Sequence, residues 1–206
     1  MRPALLAPLA LLAAPLGAQQ PALPTTAPGA PIASRVVAGT YDADPDHTQV
    51  LFEVNHMGFS RFDGAIGGAT GTLILDPKNP DAAKVDMAIP VDRIVSTSAD
   101  LDKHLKSKDF FDVANFPAAR FVSTKVVAKG SSARISGTLT LKGINKPVVL
   151  DAHFVGAGTN FMTKEPALGF RATTRIKRSD FNLGYGVPLV SDEVELTINV
   201  AFDRRK

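Results

Sequence analysis

Apolar residues recur at every second position through most of this chain. In "VLFEVNHMGF", residues 50 to 59, Val50, Phe52, Val54 and His56 share one face, with Leu51, Glu53 and Asn55 on the other. "KVDMAIPV" groups Val85, Met87, Ile89 and Val91, and "RISGTLTL" aligns Ile135, Leu139 and Leu141. "VVLDAHFV" gives Val148, Leu150, Ala152 and Phe154. In "LGFRATTRI", Leu168, Phe170, Ala172, Thr174 and Ile176 stand opposite Arg171 and Arg175. "VELTINVAF" sets Val194, Leu196, Ile198, Val200 and Phe202 against Glu193, Glu195 and Asn199. One dry face and one wet face describe antiparallel strands. The turn signals "DPKNPD", "AKGSS", "KGINKP" and "GAGTN" separate them. Many short strands with little helix predict a sandwich or a closed up-and-down barrel.

Two stretches interrupt the alternation. "GAIGGATG", residues 64 to 71, does not match a dinucleotide-binding glycine pattern and has no helix after it, so it reads as bulges or tight bends. "TSADLDKHLKSKDFF" predicts a short helix with Thr97 as its N-cap, three residues before Asp100. Leu101, His104 and Leu105 share a helical face, and Lys106 and Lys108 suit the C-terminal end of the helix dipole. Pro117 bars continuation. Such a helix covers part of the sheet or one barrel end.

The first residues have a different character. Arg2, an apolar Leu/Ala run and the small residues Gly17 and Ala18 predict a cleaved secretory signal over residues 1–18. The Pro/Ala-rich residues 19–34 predict a disordered tether, leaving residues 35–206 as one folded domain. Charge adds little. The chain has 23 Lys and Arg against 20 Asp and Glu, with no basic block of the kind nucleic acid needs. With no cysteine, it can form neither disulfides nor thiolate metal sites.

No residue pattern demands catalysis or a cofactor. His47, His56, His104 and His153 lack the close pairing of a helical metal site. His153 is expected to face outward and His47 to serve a turn. Ser179 and Asp180 are adjacent, which on a strand sends them to opposite faces, and no nucleophile-elbow motif occurs. A triad assembled from distant loops is left as the hydrolase alternative. For His56 three readings stand: a rim or core histidine bonded to nearby backbone, a polar contact for a ligand headgroup, or, least favoured, a metal ligand.

Four stretches resemble the YceI-like family of bacterial periplasmic polyisoprenoid-binding proteins. They are "DHTQVLFEVNHMGFSRFDG", "DKHLKSKDFFDVANFPAARFVSTKV", "GTLTLKGINKPVVLDAHF" and "RSDF", in family order. Two positions depart from the family pattern. Leu101 stands where the family has Arg, so no charged contact is carried over to it, and Asn145 stands where the family has Thr. The resemblance implies an all-β fold, an extended eight-stranded antiparallel barrel similar to the lipocalins, with one short helix. It also implies non-enzymatic binding, sequestration or transport of a long isoprenoid in the periplasm, and by analogy a homodimer. On that fold the expected ligand-lining residues are Phe52, Val54, His56, Phe59, Phe110 and Phe111. From the later strands, Leu139, Leu141, Leu150, Phe170, Ile176 and Ile198 join them. The alternative is a β-sandwich with a filled core that binds partners at its edges.

Overall fold

The computed structural model describes residues 23–206. The signal expected over residues 1–18 lies outside them, as does the start of the expected tether. Eleven strands follow in chain order: β1 (Gly39–Ala43), β2 (Gln49–His56), β3 (Ser60–Gly67), β4 (Thr70–Leu75), β5 (Lys84–Pro90) and β6 (Ile94–Ser96). After one helix, α1 (Ala99–Lys106), come β7 (Ala118–Lys129), β8 (Ser132–Leu141), β9 (Ile144–Thr159), β10 (Pro166–Lys177) and β11 (Glu193–Arg204).

These strands make eight staves. β11 pairs with β10 along one edge, and with both β2 and β1 along the other, so β1 and β2 are halves of one interrupted stave. β3 pairs with β2 while β4 pairs with β1, and β6 pairs with β3 while β5 pairs with β4. β5, β7, β8, β9, β10 and β11 then continue as neighbours. Every pairing is antiparallel, and β11 meeting β1 and β2 closes the barrel, which removes the open edges that invite aggregation.

The alternation read from the sequence sets the faces. Leu168 lies opposite Phe202, Phe170 opposite Val200, Ala172 opposite Ile198 and Ile176 opposite Val194, all inward. Arg175 lies opposite Glu195 on the outer face, with its guanidinium donating across 2.7 Å. Bulges reset the period in two places. β7 loses register between Ser123 and Lys125, so the inward set passes from Phe121 to Val126. β9 loses it near Gly169/Phe170, and Val155 is left exposed between inward Phe154 and Ala157.

The glycine-rich segment does two jobs. Gly64 lies within β3, opposite Phe52, and a Cβ there would meet the Phe52 ring at 2.2 Å. Gly68 (φ +78) takes the left-handed backbone that breaks β3 from β4.

Two expectations shift. The helix is capped by Ser98, not Thr97: the Ser98 hydroxyl accepts from the Leu101 N–H at 3.3 Å. Thr97 yields because Ser96 already turns the chain, with its N–H and hydroxyl donating to Asp102 at 2.6 and 2.7 Å. The tether also ends earlier than residue 34. β9 runs past the end of β8, and Ala30 fills part of that edge by exchanging two backbone hydrogen bonds with Ala157, at 3.1 and 2.9 Å. Glycine at 158 permits this approach, since a Cβ there would lie 2.1 Å from the Pro28 carbonyl oxygen.

Candidate functional site

Inside the staves is a cavity of about 940 Å³, walled almost entirely by apolar side chains. Two buried clusters pack its ends. At the helix end, Ile94 and Leu105 meet Phe181 and Leu183. At the far end, Tyr41 and Leu73 meet Leu168 and Phe202. Between them the inward residues are only half-buried: Phe52, Leu150, Phe170, Ile176 and Ile198 all retain accessible surface, although no strand separates them from the centre. In a filled core such residues are buried. This interior is hollow.

The sequence-predicted residues divide cleanly. Phe52, Val54, Leu139, Leu141, Leu150, Phe170, Ile176 and Ile198 line the walls. Phe110 and Phe111, in the turns after α1, reach the cavity from its cover, and Leu101, where the family pattern has Arg, adds a further apolar contact from the helix. Phe59 is the exception and a correction: it is 87% exposed and does not line the cavity. The β2 alternation ends at His56, because Met57 (φ 56) and Gly58 (φ 73) reverse the chain and the Phe59 N–H donates to the His56 carbonyl at 3.0 Å. Phe59 therefore occupies the tip of a turn.

His56 sits on the cavity rim. It is exposed there, and its imidazole has no hydrogen-bond partner among the described residues, so the backbone bond of the first reading is not made. Nearby, His104 packs edge-on against Phe110 and against Tyr185, each at 5.0 Å between ring centroids. The imidazole of His104 bonds Asp109 at 3.1 Å. His56, His104 and Tyr185 are thus the polar-tipped groups at the helix-end mouth. At the far mouth stand Pro31, Ala33 and Val36 from the docked N-terminal segment.

Sequence reasoning missed Arg178. The "RSDF" stretch is a 3-10 turn (Arg178–Phe181), not a strand. Arg178 is buried, and its guanidinium donates to the carbonyls of Leu183, Tyr185, Val190 and Ser191, at 2.5 to 2.8 Å. Burial pulls its pKa below the usual arginine value, with the Asp192 charge opposing. Arg178 is the clamp that shapes the loop over the mouth. A charged residue inside an otherwise apolar repeat was the available signal. The place of His104 on the α1 face with Leu101 and Leu105 was legible, but its meeting with Tyr185 was not, since Tyr185 comes from a connection.

The catalytic alternative finds no assembled machinery among the described residues. The Ser179 hydroxyl donates to Asp192 at 2.7 Å, and neither Asp180 nor a histidine is its partner. Ser132 and His153 meet at 2.9 Å on an exposed cross-strand pair, as the outward expectation for His153 required, but Asp151 is engaged by Arg134 at 3.4 Å. His47 serves a turn, its Nδ1 bonding Asp44 at 2.6 Å. Among the described residues no cluster of three or more potential metal ligands occurs.

These features define a closed antiparallel β-barrel of lipocalin-like build, hollow along its length and covered at one end by a helix. A YceI-like domain model matches residues 41–202. The chain belongs to the YceI-like family. Protein YceI of Salmonella arizonae is 40% identical over 166 residues, spanning 80% of this chain and 86% of that protein. The crystal structure of Burkholderia cenocepacia BcnA superposes with a TM-score of 0.69 at 25% identity, covering 77% of this chain and 98% of that one. A polyisoprenoid binding domain from Saccharophagus degradans, implicated in plant cell wall breakdown, shares the fold: TM-score 0.60 at 12% identity, over 80% of this chain and 98% of that one.

Proposed function

We propose that this protein binds a long-chain isoprenoid lipid inside its barrel and sequesters or carries it through the aqueous periplasm, without chemical change. The observation that carries the reading is the hollow interior of about 940 Å³, lined by Phe, Leu, Ile and Val from every stave. A cavity of that size lies at the upper end of the range for small-molecule sites, roughly 300–1,000 Å³. A single-domain barrel of the same fold is described as polyisoprenoid-binding, which is the ligand class adopted here.

Burial sets the affinity. At about 0.3 kcal/mol per heavy atom, a ligand of about forty carbons gains roughly 12 kcal/mol, near nanomolar binding. One neutral hydrogen bond contributes only about 0.5–1.5 kcal/mol. The walls therefore hold the tail, while His56, unpaired at the rim, and the His104–Tyr185 pair orient the headgroup, whether a quinone or another prenyl compound.

The test is a displacement titration with prenyl alcohols of increasing length. Affinity that climbs with each added isoprene unit and then levels off supports the reading. Affinity indifferent to tail length refutes it.

A further inference from the structure

We propose that the rim at the helix end is a membrane-docking surface, through which the cavity exchanges its ligand with the acyl region of a bilayer; this rests on the isoprenoid reading of the cavity. Two turns build the rim. One is the β2–β3 hairpin tip, Met57-Gly58-Phe59, and the other is the loop from Gly184 to Val190. Backbone bonds join them. The Met57 N–H donates to the Leu189 carbonyl at 2.7 Å, and the Ser191 N–H to the Asn55 carbonyl at 2.9 Å. Asn55 also braces the tip, its Oδ1 accepting from the Gly58 N–H at 2.7 Å.

On this joined base stand five exposed large apolar side chains: Met57, Phe59, Tyr185, Val187 and Leu189. Phe59 at 87% exposure and Leu189 at 62% give almost nothing to the fold. A folded protein seldom leaves such a contiguous group in water unless something covers it. Met57 also holds a left-handed backbone that a non-glycine residue rarely adopts, so the tip is projected at some conformational cost.

The chemistry of the rim selects its partner. Neither 56–60 nor 184–190 contains Asp, Glu, Lys or Arg. Arg61, next to the tip in sequence, is paired with Glu53 at 2.9 Å, and Arg178 beneath the loop is buried with its guanidinium spent on backbone carbonyls. Such a surface suits the boundary between headgroups and acyl chains, with Tyr185 as the amphipathic ring favoured at that depth. The patch is also continuous with the mouth, because His56, Tyr185, Gly186 and Val190 line the cavity. Seated in a bilayer, the rim gives a prenyl tail an unbroken apolar path. A second copy on the same rim would seal the exit instead.

The test is flotation of the purified protein with phosphatidylcholine vesicles, beside the double variant Phe59→Ser/Leu189→Ser and the single variant Phe59→Leu. The native protein is expected to float, the double variant to bind at least about tenfold less, and Phe59→Leu to retain most binding, as apolar burial requires. Raising salt from about 50 to about 500 mM should change binding less than about twofold, since screening acts on charges. Geranylgeraniol added from ethanol should load native protein and double variant alike, while its transfer from vesicles slows in the variant. The docking proposal is overturned if native protein loads geranylgeraniol but does not float. It is also overturned if salt releases it, or if it sediments as a dimer that the double variant splits. If neither protein takes up geranylgeraniol, the cavity reading fails, and flotation alone decides the rim.

Discussion

Enlarging Leu150 to tryptophan separates a hollow barrel from a filled one. Leu150 projects inward from β9, opposite Ile135 on β8, and remains half-buried because it faces the cavity. In a packed core, such an enlargement costs about 1–3 kcal/mol through forced rotamers and backbone shifts. At roughly 2–4 °C per kcal/mol for a domain of this size, the melting temperature would fall between about 2 and 12 °C. Here the indole has about 940 Å³ to enter. The expected fall is below about 2 °C, because the added ring is buried without displacing its neighbours. The ligand bears the cost instead. A ring displacing roughly five carbons, at about 0.3 kcal/mol each, removes near 1.5 kcal/mol, or about tenfold in affinity. Differential scanning calorimetry of the lipid-free protein and a prenyl-alcohol displacement titration read the two effects separately. A large melting loss with undiminished affinity would refute the reasoning.

Other perturbations probe the remaining parts. His56→Ala should weaken isoprenoid binding less than about tenfold, since at most a hydrogen bond or two is lost; a hundredfold loss in the same titration would place the headgroup above the tail in the hierarchy. Arg178→Met removes the donor to four carbonyls and should destabilise by roughly 3 kcal/mol or more, with the loop to Ser191 losing protection in hydrogen exchange; unchanged stability would mean the clamp is idle. His47 should titrate above the ordinary imidazole value, because its bond to Asp44 and that carboxylate's charge favour the protonated ring. Its small contribution to stability is complete below about pH 6.5 and fades as pH rises through the raised value. An NMR titration placing His47 at or below the ordinary value contradicts this.

The strands were legible because their period is simple. Val85, Met87, Ile89 and Val91 recur at every second position, and all four reach the cavity. The same rule placed Ile176 and Ile198 inward on neighbouring staves. It failed at Phe59, where two residues of positive φ end β2 and turn an apolar residue into an exposed tip. It could not see that β1 and β2 form one stave, because that depends on both pairing with distant β11. The mouth was harder still. His104 and Tyr185 lie eighty-one positions apart in sequence and meet only because Arg178 folds the 183–191 loop back toward α1. Alternation likewise fixes which residues point inward, but whether they touch one another depends on barrel diameter. Family resemblance, carried by "DKHLKSKDFF" and "RSDF", supplied the fold where periodicity left barrel and sandwich equal.

Native mass spectrometry of the protein, purified from its producing cells without detergent, tests the central claim most directly. The account predicts a tightly held extra mass that solvent extraction releases as a prenyl lipid, with a filled and an emptied form differing by that one ligand. A clean apo mass that takes up no added isoprenoid would contradict it.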